Sequence, residues 1–206
     1  MPIYDISHPL HPAIAVWDGD TPYSYRSLCR LDEGASVNLG SVEMSVHTGS
    51  HADAPFHYDD NGATMETLPI ETYIGAATVI DVTGHARLTR ELLEPLEFAP
   101  RVLFKTGGWK DTAQFPEWIP TLESGVAEFL ASRGVILVGF DLPSVDTLDS
   151  KTLPIHHELG AAQIAILESL ALANVSPGDY ELIALPLKLV GADGSPVRAI
   201  LRTAPA

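Results

Sequence analysis

The stretch Ser45-Val46-His47-Thr48-Gly49-Ser50-His51-Ala52-Asp53-Ala54-Pro55-Phe56-His57 places three histidines and one aspartate within the eleven residues 47–57. Imidazole and carboxylate together form a donor set that suits zinc, manganese or iron, whereas calcium sites take oxygen alone. The spacing H-x3-H-x-D-x3-H does not fit one regular helix. A helix would bring His47 and His51 together at i and i+4 but turn Asp53 away from them, and Pro55 would clash with the preceding turn. The stretch therefore reads as a strand ending near Val46 and a bent loop behind it. Gly49 lets that loop turn, and Pro55 fixes the chain direction before His57. Isolated histidines carry no comparable signal, so His8, His11 and His85 are read as ordinary core or surface residues.

Working outward toward the N-terminus, residues 35–46 alternate weakly through Val37, Leu39, Val42, Met44 and Val46, and read as one or two strands delivering His47. A short strand is expected at Ile3–Ile6. Trp17 precedes Asp18-Gly19-Asp20-Thr21-Pro22 at a turn, where a large aromatic either caps the core or lines a pocket mouth. Toward the C-terminus, the segments 76–82, 101–106 and 135–141 read as buried strands. Thr89 is a candidate helix N-cap. A second helix is expected over 122–133, with Val126, Phe129 and Leu130 on one face and Gly134 as its stop.

The run 135–141 is the most apolar strand and is expected near the centre of the sheet. Its end carries Asp141, Ser144 and Asp146, which serve either a site or the capping of turns. Metal-ligating residue types gather again in Leu153-Pro154-Ile155-His156-His157-Glu158-Leu159-Gly160, with Glu168 beyond. If His57 does not ligate, His47, His51 and Asp53 would hold one metal and this second patch could serve another. Segments near 182–189 and 197–203 read as a hairpin about the Gly191-Ala192-Asp193-Gly194-Ser195-Pro196 turn. Strands outnumber helices and hairpins mix with crossovers, which implies an α/β or α+β fold around a mixed sheet.

Length and charge narrow the function classes. The 206 residues suit one sizeable core and no linker divides them, so 1–206 reads as a single domain. A 46% hydrophobic content and a mean hydropathy of +0.13 describe a globular chain with a generous interior. Twelve basic against 27 acidic residues give a formal charge of −15, which argues against a nucleic-acid partner, because phosphate binding needs clustered Lys and Arg. The lone Cys29 cannot form an internal disulfide and points to a reducing compartment. The N-terminus has neither a basic start nor a long apolar core, so no signal peptide is expected. No apolar run approaches the roughly 18 residues of a membrane span. A soluble, cytoplasmic protein is expected.

The segment His47-Thr48-Gly49-Ser50-His51-Ala52-Asp53-Ala54-Pro55-Phe56-His57 resembles the H-x-G-[TS]-H-x-D-x-P-x-H motif of the metal-dependent cyclase family, whose best-known members are bacterial kynurenine formamidases. The resemblance to that branch continues, in order, through residues 16–22, 140–146, 149–151, 153–156 and 185–189. It implies a swivelling β/β/α domain around a mixed sheet, strand-rich with few helices, assembled as a homodimer. It further implies a two-zinc centre, with manganese as an alternative, hydrolysing N-formyl-L-kynurenine to L-kynurenine and formate in tryptophan breakdown. Carried over residue by residue, His47, His51 and Asp53 bind the first metal, and Asp53 bridges to a second held by His156 and Glu168. His57 corresponds to the proton donor and acceptor, and Trp17 to an aromatic packing on the substrate. His156 rather than His157 is assigned because the family's histidine lies twelve residues before its glutamate. Asp18 departs from the proline of many relatives. Two other readings stand beside this one: a cyclase-family enzyme opening a cyclic amide such as isatin, and a metal-binding module without catalysis.

Overall fold

The strand Arg101-Val102-Leu103-Phe104-Lys105 is apolar at successive rather than alternate positions because both of its faces are buried. Val102 and Phe104 enter one core, shared with Leu93, Phe129, Leu130 and Leu159 from the helices. Leu103 enters a second core on the other face, with Ile6, Tyr73, Leu170, Leu182 and Leu201. This two-sided burial organises residues 2–203, which the computed structural model describes.

The first half of the chain contributes β1 (Ile3–Asp5), β2 (Ser24–Cys29), β3 (Leu39–Glu43), β4 (His51–Asp53), β5 (Ile74–Asp81), β6 (Arg87–Leu88) and α1 (Arg90–Leu93). It continues through β7 (Arg101–Lys105), β8 (Thr121–Leu122), α2 (Val126–Ser132), β9 (Leu137–Phe140) and α3 (Pro154–Ala161). The last segment adds β10 (Ala165–Glu168), β11 (Gly178–Ile183), β12 (Gly194–Pro196) and β13 (Ile200–Thr203). Nine strands form one mixed sheet in the order β1-β13-β11-β5-β7-β9-β10-β4-β12. Its centre, β5-β7-β9-β10, is parallel, and both flanks are antiparallel. The sheet is therefore the strand-rich, mixed arrangement expected, and among the described residues only three α-helices accompany it. None of them is long and apolar enough to cross a membrane.

Local expectations hold where local chemistry decides. Thr89 caps α1, its side chain accepting from the Leu92 N–H. Gly134, at φ +82, follows the end of α2. Three expectations give way to tertiary pairing. The 122–133 helix begins only at Val126, because Leu122 is drawn into β8 beside β6 and Glu158 holds Ser124 and Gly125 in a turn at 2.6 and 2.9 Å. Residues 35–46 do not run on to His47. Leu39–Glu43 pairs with β2 in a separate two-stranded hairpin, and a turn spans the gap to β4. The C-terminal hairpin exists as β11 with β13, but the 191–196 segment is not its turn. It crosses to the far edge of the sheet and pairs as β12 with β4.

Phe104 is fully buried, with its ring centroid 5.0 Å from that of Phe140. Phe104→Ala is expected to destabilise the protein by about 3–5 kcal/mol through lost burial and the cavity left behind, measured by urea unfolding.

Candidate metal centre

β4 is only three residues long, yet it is paired on both sides, by β10 and by β12. Side chains alternate along a strand, so Ala52 points into the core while His51 and Asp53 share the opposite face. Glu168 lies directly across from His51 in the β4/β10 register, and cross-strand partners lie on the same face. α3 supplies His156 to this face. The loop of sequence-based expectation is thus partly a strand: His51–Asp53 is sheet, and Pro55–His57 is a single 3-10 turn with proline at its start.

Distances within the group are short. His47 Nδ1 lies 3.0 Å from Asp53 Oδ1. His51 Nε2 is 3.4 Å from both Asp53 Oδ1 and Glu168 Oε2. His156 Nε2 is 3.6 Å from Asp53 Oδ2 and 3.5 Å from Glu168 Oε1. The far nitrogens are anchored. His51 Nδ1–H donates to the Gly49 carbonyl at 2.7 Å, and His156 Nδ1–H donates to Asp146 Oδ2 at 2.7 Å. A ring that donates through Nδ1 turns its Nε2 lone pair inward. His51 Nε2, Asp53 Oδ1 and Asp53 Oδ2 consequently stand buried with no hydrogen-bond partner. Lone pairs facing lone pairs away from water are repulsive unless a cation lies between them.

The residues therefore fit a metal. Two groups whose donor atoms could hold a metal ion share Asp53: His47, His51 and Asp53, and Asp53, His156 and Glu168. A third comprises His47, His57 and Asp193.

The electrostatics show the same demand for positive charge. Burial works against the imidazolium of His51, but Asp53 and Glu168 outweigh it and raise the group to about 10. Burial likewise opposes the charge on His156, and Asp146, Asp53 and Glu168 raise it to about 12. For His47, Asp193 and Asp53 overcome burial and raise it to about 9. Asp53 is pushed up by burial yet held well below the usual carboxylate range by His156, His47 and His51. His57 differs. Burial, aided by His47 and His156, outweighs the pull of Asp53 and Glu168 and lowers it.

Trp17, His47, His51, Asp53, His57, His156 and Glu168 are brought to one place. His57 sits beside the ligand groups, its ring centroid 4.0 Å from that of His47 and 5.8 Å from that of His156. Trp17 lines the cavity of about 380 Å³ above the group and rests on Phe115 at 4.6 Å, which decides for the pocket mouth. His156 is buried in the cluster, while His157 is exposed and packs on Tyr58. Of the strand-end carboxylates, Asp141 caps a turn, accepting from Thr106 and Gly107. Asp146 reaches the site through His156 and also accepts the Ile155 and His156 backbone N–H groups. Asp193 went unrecognised as a site residue, because its Asp-Gly setting is the ordinary signal of a turn. His8 packs on Trp109 at 5.7 Å, and His11 accepts from the Ala13 N–H, in keeping with their ordinary reading.

The family model described as "Putative cyclase" matches residues 4–147. Kynurenine formamidase of Geobacillus thermodenitrificans (strain NG80-2) is 50% identical over 203 residues, covering 98% of this chain and 97% of the relative. A solved structure described as a predicted metal-dependent hydrolase from Bacillus stearothermophilus superposes with a TM-score of 0.81 at 31% identity, covering 97% of each chain. Isatin hydrolase A from Labrenzia aggregata, solved bound to benzyl benzoate, shares the fold, with a TM-score of 0.83 at 24% identity over 98% of this chain and 94% of that one. A family match across most of the chain, a half-identical relative along almost its full length and the motif assembled around Asp53 agree: the chain belongs to the cyclase family.

Proposed function

We propose that this chain hydrolyses N-formyl-L-kynurenine to L-kynurenine and formate in tryptophan degradation, as a single domain over residues 1–206. The observation that carries the reading is the half-identical kynurenine formamidase, which this chain matches over 97% of the relative's length. In this reading His47, His51 and Asp53 hold one zinc ion, and Asp53, His156 and Glu168 hold a second, with manganese as the alternative occupant. Bound there, divalent cations supply Lewis acidity, polarising a carbonyl and acidifying water at neutral pH.

The chain's own residues do the rest. His57, whose charged form burial disfavours, accepts the proton of the attacking water on its ring nitrogen. As the formyl carbon–nitrogen bond breaks, it returns that proton to the departing aryl amine. Trp17 offers an apolar face to the aromatic ketone portion of the substrate, and Pro143, Leu148 and Leu153 continue that wall. A formyl group is small, so selection rests on this wall.

The proposed assembly is a homodimer in the cytoplasm. The β2–β3 hairpin supports the first point, because the directly paired Tyr25 and Val42 share one of its faces and are each more than half exposed, the kind of apolar surface that marks an interface. The lone Cys29 is in keeping with the second. The double variant Tyr25→Glu/Val42→Lys is expected to convert a dimer into a monomer by light scattering after size exclusion; a dimer in the variant would move the interface elsewhere.

The catalytic assignment is tested by formate release from N-formyl-L-kynurenine with metal content measured on the same samples. His57→Ala is expected to keep its metal and lose about 10²- to 10⁴-fold in turnover, whereas His51→Ala loses metal. Equal metal loss in both would make His57 a ligand. Absent formate release from a metallated protein that opens isatin would shift the substrate to cyclic amides.

A pH dependence follows from the raised histidines. In the metal-free protein, a group raised above its ordinary value of 6.5 contributes stability that is full below 6.5 and lost as pH rises through its folded value. For His47 and His51 those values are about 9 and about 10. Metal replaces the displaced protons. The gain in Tm on metal addition is therefore expected to be larger at pH 8.5 than at pH 6.5, checked by calorimetry on chelated and reloaded protein.

A further inference from the structure

Asp193 lies at the bend entering β12, tied to the ligand strand by the backbone on either side of its side chain. Its carbonyl accepts the Ala54 N–H at 2.8 Å, and the next residue, Gly194, pairs with Asp53. Its Oδ2 lies 3.0 Å from His47 Nε2 and 3.5 Å from His57 Nδ1. The first is a hydrogen bond; the second is a contact at the outer limit of one. Because the His47 and His57 rings stack at 4.0 Å with 36° between their planes, a single carboxylate oxygen reaches the edges of both. The opposite nitrogen of His47, Nδ1, is the one that faces Asp53 Oδ1.

We propose that Asp193 is a positioning residue that sets two imidazoles at once, turning Nδ1 of His47 toward the metal centre and leaving Nε2 of His57 free for proton transfer. The His57 half rests on the function proposed above; the His47 half does not. An acceptor fixed at His47 Nε2 holds that nitrogen protonated and keeps the lone pair on Nδ1, the usual way an outer carboxylate orients a ligating histidine. The same oxygen marks Nδ1 of His57 as the protonated nitrogen. The neighbouring glycine is part of the arrangement. A Cβ at Gly194 would lie 2.8 Å from Cε1 and 3.0 Å from Nε2 of His47, so only glycine lets the ring approach the strand closely enough to meet Asp193.

The test uses the full-length protein with zinc, comparing Asp193→Ala and Asp193→Asn with wild type. Zinc affinity is measured by chelator competition, the His47 tautomer by nitrogen-15 histidine NMR, and kcat and KM by formate release. Asp193→Ala is expected to bind zinc about 10- to 100-fold more weakly, to lose the single Nε2-protonated form of His47, and to lose kcat to a similar degree with KM near wild type. Asn keeps one acceptor oxygen for the nearer ring. Asp193→Asn is therefore expected to recover zinc affinity while kcat stays low. Wild-type affinity and tautomer in Asp193→Ala would overturn the His47 half, and wild-type kcat in Asp193→Asn would overturn the His57 half. If Asp193→Ala fails to fold, the Asn variant's kcat decides. If wild type releases no formate, the proposed function fails, and the zinc and tautomer readings still decide the role of Asp193.

Discussion

Asp53 presents two buried carboxylate oxygens that no donor satisfies, and three imidazoles converge on them. An ionised carboxylate buried without compensation costs several kcal/mol, so the region around β4 is stable only with positive charge in its midst. Protons on the histidines provide that charge in one state and a metal in another. The fold is arranged to hold the group in place meanwhile. β4 has hydrogen-bonded neighbours on both sides, and Ala52, between His51 and Asp53, is anchored in the core. A three-residue strand in an exposed loop would have no such hold.

The outer contacts are as specific as the inner ones. Each of the three imidazoles facing Asp53 is hydrogen-bonded at its far nitrogen to a different partner: a backbone carbonyl at Gly49 for His51, Asp146 for His156 and Asp193 for His47. These partners come from a turn, a loop after β9 and the bend before β12. Partners of this kind fix the tautomer and raise the basicity of the ligand. The contrast between Asp141 and Asp146 is instructive. Both follow the same apolar strand, but the first is spent on Thr106 and Gly107 while the second reaches His156. Proximity to a strand end does not separate the two roles; the direction taken by the chain after the strand does.

Much of the centre was legible in the order of residues. The types and spacing of His47, His51, Asp53 and His57 announce a metal site because these side chains share donor chemistry within one short segment. The buried strands at 76–82, 101–106 and 135–141 were legible from apolar runs, and the α1 cap from a threonine before a helical pattern. Residue type alone marked 153–160 and Glu168 as a second patch, but joining it to the first and choosing His156 over His157 came from resemblance, since a gap of about a hundred residues carries no periodic signal. Trp17 stayed ambiguous until the cavity placed it.

Three features belong to the tertiary structure alone: His51–Asp53 as a strand, the detached β2–β3 hairpin, and Asp193 in the site. Each depends on which distant segment pairs with which, and β pairing joins residues such as 51 with 168 and 53 with 194 whose separation leaves no trace in local pattern. An Asp-Gly dipeptide has the same local preferences whether it turns a hairpin or borders a metal centre. The sequence by itself determined the donor chemistry, the apolar strands and the caps, because those follow from side-chain type and near-neighbour spacing. Only the tertiary structure decided which carboxylate faces which imidazole, because that is set by register across the sheet.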